Sequence, residues 1–181
     1  MITGRLKDEI HWLLHAKTTV LITTEESLMK SEVPTLVVLI ADDDEDDCRL
    51  VESAFQEICT ACDLRFVDDG QRLLDYLYNE GEFADIEKYS KPNLVLLDLN
   101  MPRMNGYEAL ARIKSDPRLK NIPILILTTS REEHDIALSK HAGASSFLSK
   151  PEKFGDLTDA LEKFCTAILH NPDITFRVLG C

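Results

Sequence analysis

From about Thr35 onward the chain alternates between short apolar runs that stop abruptly at polar residues and stretches with helical spacing. Val37-Val38-Leu39-Ile40-Ala41 stops at Asp42-Asp43-Asp44, and Asn93-Leu94-Val95-Leu96-Leu97 stops at Asp98. Ile124-Leu125-Ile126-Leu127 stops at Thr128-Thr129-Ser130, and Ser146-Phe147-Leu148-Ser149 stops at Lys150-Pro151. Runs of four or five apolar residues without period-two alternation are expected of parallel strands covered on both faces. Leu64 to Val67 adds a shorter strand. Between the strands, Glu45 to Ile58 places Cys48, Val51, Ala54, Phe55 and Ile58 on one helical face, and Gln71 to Tyr78 turns Leu73, Leu74 and Leu77 inward. Tyr107 to Lys114, Glu132 to His141 and Phe154 to Leu169 complete five predicted helices, with Asp116-Pro117 ending the third and Gly143 the fourth. Five strands and five helices in strict alternation predict an α/β fold, a doubly wound parallel sheet with helices on two faces.

The remaining segments are less regular. Asn79 to Pro92 is longer than the usual connection in such units and rich in charge, and reads as a solvated loop in preference to a docking element. Residues 1–33 stand apart as an N-terminal extension; Leu6, Ile10, Leu13 and Leu14 have the spacing of a short helix, and Met29 just ahead of the first strand makes the stretch before it equally an extension set by the choice of start codon. The tail 170–181 holds Ile174, Phe176, Val178 and Leu179, an apolar pattern that suits packing on a partner or lying along the domain.

Composition narrows the function. A net charge of −12 over 181 residues, with the basic side chains scattered, excludes a nucleic-acid surface as the main business. No window approaches the length of a membrane span and the N-terminus lacks a secretory pattern, so the expected location is the cytoplasm. The five cysteines (Cys48, Cys59, Cys62, Cys165 and Cys181) are odd in number and sit mostly in helical patterns, which suits reduced thiols. Cys59-x-x-Cys62 has the spacing of a redox or zinc half-site, yet no second CxxC or histidine pair follows it.

The strand ends carry the chemistry. In a right-handed doubly wound sheet they open on one rim, so Asp42, Asp43, Asp98, Thr128 and Lys150 would converge. A lone carboxylate is a poor nucleophile toward a phosphoryl group because two anions repel, and a divalent cation shared between them removes the obstacle. Mg2+, or Mn2+ in its place, would find oxygen ligands in Asp43, Asp98 and the carbonyl of Asn100, with Asp42 one step back, orienting water or tuning charge. Asp44 to Asp47 are accounted for as a helix N-cap and first-turn acids. Lys150 before Pro151 invites a cis peptide that would aim the lysine across the rim, and Thr128 would hydrogen-bond an incoming phosphoryl oxygen.

Ala41-Asp42-Asp43-Asp44, Leu97-Asp98-Leu99-Asn100-Met101-Pro102 with Asn105-Gly106, Leu127-Thr128-Thr129-Ser130 and Leu148-Ser149-Lys150-Pro151 resemble, in order, the four signature segments of bacterial two-component response-regulator receiver domains. The resemblance covers about Thr35 to Leu169 and implies a receiver domain over 34–169 with the flavodoxin-like strand order 2-1-3-4-5. It also implies a function: Asp98 accepts a phosphoryl group from a phosphohistidine on a sensor histidine kinase, with Mg2+ required. Asp42 and Asp43 would be the acidic pair, Thr128 the switch hydroxyl, Lys150 the phosphoryl-binding lysine and Phe147 the switch aromatic, where tyrosine is common in the family. The Asn100-Met101-Pro102 turn, the acidic loop before the third strand and the lack of an output domain in these residues resemble single-domain regulators paired with cyanobacterial and bacterial phytochromes. Output would then pass through binding, to a downstream protein, a histidine phosphotransfer protein or a second copy in a homodimer.

Two rivals stay open from sequence. One is a metal-dependent phosphatase that uses Asp98 as nucleophile on small phosphate esters, although Asn100 stands where such an enzyme needs a second acid. The other is a receiver-like binding module that takes no phosphate. On the favoured reading the protein is a phosphoacceptor switch, with at most self-catalysed phosphotransfer and autodephosphorylation.

Overall fold

The apolar runs form the middle of a parallel sheet. In the computed structural model, which describes residues 36–59, 62–170 and 177–179, six strands are ordered β2-β1-β3-β4-β5-β6. They are β1 (Leu36–Ala41), β2 (Cys62–Val67), β3 (Leu94–Leu97), β4 (Ile124–Thr128), β5 (Ser146–Ser149) and β6 (Arg177–Leu179). The helices are α1 (Glu45–Ile58), α2 (Gly70–Tyr78), α3 (Gly106–Ser115), α4 (Glu133–His141) and α5 (Phe154–His170). The expected 2-1-3-4-5 order is present, and β6 extends it by pairing in parallel with β5, Phe147 opposite Val178. Three residues are too few for a pattern to announce a strand, so the tail carried only its apolar character as a sign. The expectations for residues 1–33 lie outside the described residues.

Why β1, β3 and β4 read as unbroken apolar runs is visible in the two cores. Successive side chains point to opposite faces. Leu39, Ala41, Val95, Leu97, Ile124 and Ile126 pack against Leu73, Leu74 and Leu77 of α2 and Ala109, Leu110 and Ile113 of α3. Val38, Ile40, Leu94, Leu96, Leu125 and Leu127 pack on the other side against Val51 and Phe55 of α1 and Leu157, Leu161 and Phe164 of α5. The helix most weakly attached is α4: Ser139 is its one fully buried residue, and Ile136 is partly buried against the first core.

The loop between α2 and β3 is largely exposed, as a solvated connection is expected to be, but it is pinned by a small aromatic cluster. Asn79 takes the left-handed conformation that ends α2 (φ 56°). Its side-chain amide donates to the carbonyls of Phe83 and Tyr89. A 3-10 turn at Gly81–Phe83 then buries Phe83 against Tyr76 and Tyr89, with ring centroids 5.2 and 5.1 Å away. Three aromatic side chains spaced along a charged stretch were the signal for this small core.

One correction concerns the cysteines. Cys59 and Cys62 are joined in a disulfide between the end of α1 and the start of β2, whereas Cys48 and Cys165 are free thiols. Spacing alone did not reveal that the end of α1 and the start of β2 bring these Cα atoms to 5.8 Å. No helix among the described residues is long and apolar enough to cross a membrane.

Candidate functional site: an acidic pocket at the carboxyl rim

The site grows out of the backbone of the sheet. Ala41 lies opposite Leu97 in the β1–β3 register, so the next residues, Asp42 and Asp98, sit side by side past the ends of those strands. Asp42 N–H donates to Val67 O at 3.0 Å and Asp98 N–H to Ala41 O at 2.9 Å, so the ladder continues under both acids and fixes them. On the other side Thr128 lies opposite Ser149, and Lys150 N–H donates to Thr128 O at 2.7 Å. Asp98 is 6 % exposed and Thr128 is fully buried. The rim thus presents fixed groups on a rigid sheet.

Carboxylate oxygens of Asp42, Asp43 and Asp98 lie within 4.8 Å of one another. Asp42 is the most engaged: one oxygen accepts from Asp44 N–H at 3.0 Å and the other from the Lys150 ammonium at 2.7 Å. Burial pushes its carboxyl above the usual range despite the pull of Lys150. Asp98 Oδ2 accepts from Asn100 N–H at 2.9 Å, while Oδ1 faces Lys150 Nζ at 3.8 Å, beyond hydrogen-bond reach. Burial alone would lower the lysine; its hydrogen bonds to Asp42 and Asp47 prevail and hold it above the ordinary value. Lys150 is therefore a fixed positive charge beside three acids.

The third wall is the β4–α4 loop. Asn100 Nδ2 approaches Thr128 Oγ1 at 3.5 Å, linking the residue two after Asp98 to the hydroxyl at the end of β4. Ser149 Oγ donates to Ser130 O at 2.9 Å, and Ser130 Oγ donates to the carboxylate of Asp135 on α4. Ser130 thereby links the loop after Thr128 to the start of α4. Beside the acids a cleft of about 470 Å³, lined by Asp43, Cys48, Arg49, Phe66 and Arg72 among others, leaves the pocket open to solvent.

Most of the residues singled out from sequence are brought together: Asp42, Asp43, Asp98, Asn100, Thr128 and Lys150 share one rim. One expectation about an individual side chain differs. The Lys150–Pro151 bond is trans, since no described peptide bond is cis, and the lysine reaches the acids through its side chain alone. Phe147 is wholly buried in the first core, as an apolar ring on a central strand is expected to be.

Sequence reasoning missed Asp47. Read as one more first-turn acid, it accepts from Lys150 Nζ at 2.5 Å. A signal was present: Asp47 is four residues before the buried Val51, hence on the inward stripe of α1.

As to metal, the donor set is of the right kind. Three carboxylates at one point are the hard oxygen ligands that Mg2+ or Mn2+ takes while keeping several waters.

A parallel 2-1-3-4-5 sheet with paired acids after β1, an aspartate after β3, a hydroxyl after β4 and a lysine after β5 defines a phosphoryl-accepting receiver, and the model of the response regulator receiver domain matches residues 38–162. The chain belongs to that family and serves in phosphorelay signalling. It is 37 % identical over 124 residues to response regulator Rcp1 of Synechocystis sp., covering 68 % of this chain and 82 % of that one. It is 32 % identical over 137 residues to the probable methanogenesis regulatory protein FilR2 of Methanothrix harundinacea, covering 75 % and 84 %. Among solved structures, the phosphorylated cyanobacterial phytochrome response regulator RcpA aligns with a TM-score of 0.68 at 34 % identity, covering 75 % of this chain and 94 % of that one. The Mn2+-bound form of Rcp1 aligns at 0.65 and 32 %, covering 81 % and 99 %.

Proposed function

We propose that Asp98 is the phosphoacceptor of this receiver and that the protein works as a switch in the cytoplasm, taking its phosphoryl group from a phosphohistidine on a sensor histidine kinase of the phytochrome type. The observation that carries the reading is the meeting of three carboxylates within 4.8 Å beside the fixed ammonium of Lys150. Similarity to a phytochrome response regulator crystallised in phosphorylated form supports the input. The receiver domain is taken as 34–169, flanked by the extension 1–33 and the tail 170–181.

In the proposed step Asp98 Oδ1, the oxygen left free by the Asn100 N–H, attacks phosphorus. The P–N bond of the phosphohistidine breaks and its electron pair stays with that ring nitrogen; with a proton already on the other ring nitrogen, the ring leaves as neutral imidazole. Asp43, Asp98 and the Asn100 carbonyl would hold Mg2+, or Mn2+ in its place, with Asp42 one step removed; the double engagement of Asp42 and the exposure of Asp43 support that division. When bound, the metal supplies positive charge between the aspartate and the incoming phosphoryl oxygens. Lys150 would pair with a phosphoryl oxygen, and Thr128 would turn its hydroxyl toward another. Because the Thr128 loop is tied to α4 through Ser130 and Asp135, its movement would shift α4 against Phe147 and β5 and change the affinity of that face for a downstream protein, a phosphotransfer protein or a second copy in a homodimer.

Labelling by acetyl phosphate separates this reading from its rivals. Wild-type protein with Mg2+ is expected to take up one phosphoryl group; Asp98→Asn and a chelator-treated sample should take up none. Equal labelling of Asp98→Asn contradicts the assignment, and continuous release of phosphate from small esters would return the phosphatase.

A further inference from the structure

Resting on the reading of Asp98 as phosphoacceptor, we propose that Asp47 is a positioning residue: it holds Lys150 away from Asp98 in the unphosphorylated protein and must release it when a phosphoryl group arrives. The geometry is specific. Lys150 Nζ lies 2.7 Å from Asp42 Oδ2 and 2.5 Å from Asp47 Oδ2, but 3.8 Å from Asp98 Oδ1. An ammonium has three N–H donors, and two are spent on these acids. Both holding acids are themselves fixed, Asp42 by the ladder and the Asp44 N–H, Asp47 by its place on the Asp44-capped first turn of α1.

The two holding acids differ in how easily they give the lysine up. Asp42 is only 4 % exposed in its side chain, and without Lys150 it would be a buried charge with one backbone hydrogen bond. Asp47 is 28 % exposed and can exchange the lysine for water. When a dianionic phosphoryl group forms on Asp98, Coulomb attraction draws Lys150 toward it, and the contact that breaks at least cost is the one to Asp47. Asp47 thus stabilises the unphosphorylated state and sets how tightly the pocket retains a phosphoryl group. It never touches that group and acts through the lysine.

Beryllofluoride, a stable mimic of the phosphoryl group on aspartate, tests this with Mg2+ held saturating. Its binding to the full chain is followed by fluorine NMR in wild type, Asp47→Asn, Lys150→Gln and the double variant, with thermal unfolding run on each. Asp47→Asn is expected to bind beryllofluoride about threefold or more tightly, the size of one partly exposed ion pair. The gain should vanish in the Lys150→Gln background. Unchanged or weaker binding by Asp47→Asn overturns the proposal. An equal gain in both backgrounds also overturns it, because that result describes direct charge repulsion without the lysine. Should wild type fail to bind beryllofluoride, or Asp98→Asn bind it equally, the phosphoacceptor reading itself falls, an outcome distinct from either of these. Asp47→Ala repeats the comparison without an amide, and the same pattern is expected.

Discussion

At Gly106 a Cβ would lie 2.1 Å from the carbonyl oxygen of Asp98 and 2.8 Å from the Cα of Leu99, both backbone atoms that cannot swing aside. The start of α3 therefore rests directly on the peptide of Asp98, and Gly106→Ala should push the two apart. We expect a loss of about 1–3 kcal/mol in denaturant unfolding, in the range of overpacked cores, together with slower acetyl phosphate labelling. Asp69 makes the matching contact on the other side of the β3–α3 loop. It caps α2 through the Arg72 N–H and accepts from Arg103 Nε at 2.6 Å, while Arg103 itself sits in the left-handed region at φ 63°. Burial would raise the Asp69 carboxyl, but these hydrogen bonds hold it below the ordinary value. A depressed carboxyl contributes stability above its unfolded pKa and loses it as pH falls. Asn caps a helix as well as Asp, so Asp69→Asn isolates the charge: it should cost about 1 kcal/mol at neutral pH and flatten the loss of stability on acidification below about pH 4. A variant with an unchanged acid limb would contradict this. The reactive side chains were legible in sequence because strand ends announce themselves. The contacts at Gly106, Asp69 and Asp47 were not, since each depends on which loops the tertiary fold lays together.

Among the helices, α4 is the one least anchored to the core. Its N-cap residue, Glu132, makes no side-chain capping bond, and it buries one small serine fully, where α3 buries Ala109, Leu110 and Ile113. Few buried apolar contacts mean a low cost of local opening. Hydrogen exchange should therefore be fastest, among the helices other than the frayed ends, in α4 and its preceding loop, and beryllofluoride should slow it there while leaving β1 and β3 unchanged. Uniform protection across the helices would argue against α4 as the responding element. The pattern of the sequence placed all five helices to within a residue or two, because inward apolar residues keep period in four of them and Gly143 marks the stop of α4. It did not foresee the aromatic cluster that pins the loop after α2, where Phe83, Tyr76 and Tyr89 meet across a turn set by Asn79. Periodicity has nothing to say about a core made by one short loop.

For the whole molecule, a double-sided sheet with every reactive group on one rim separates stability from signalling: two apolar cores fix the frame, and the charges act at its edge. The strand alternation made this architecture legible, whereas β6 was too short to detect and the disulfide depends on how α1 and β2 are placed, which spacing does not describe. If phosphorylation is read out by a homodimer, sedimentation velocity at several concentrations should show the beryllofluoride form heavier than the free form; a monomer in both conditions would leave a different protein as the partner. All of this depends on where the phosphoryl group goes. Protein treated with acetyl phosphate and Mg2+, then with borohydride, which reduces an acyl phosphate to an alcohol, should yield on peptide mass spectrometry a single homoserine at residue 98. Homoserine at Asp42 or Asp43, or phosphate retained on a serine, threonine or histidine with residue 98 unmodified, would contradict the account.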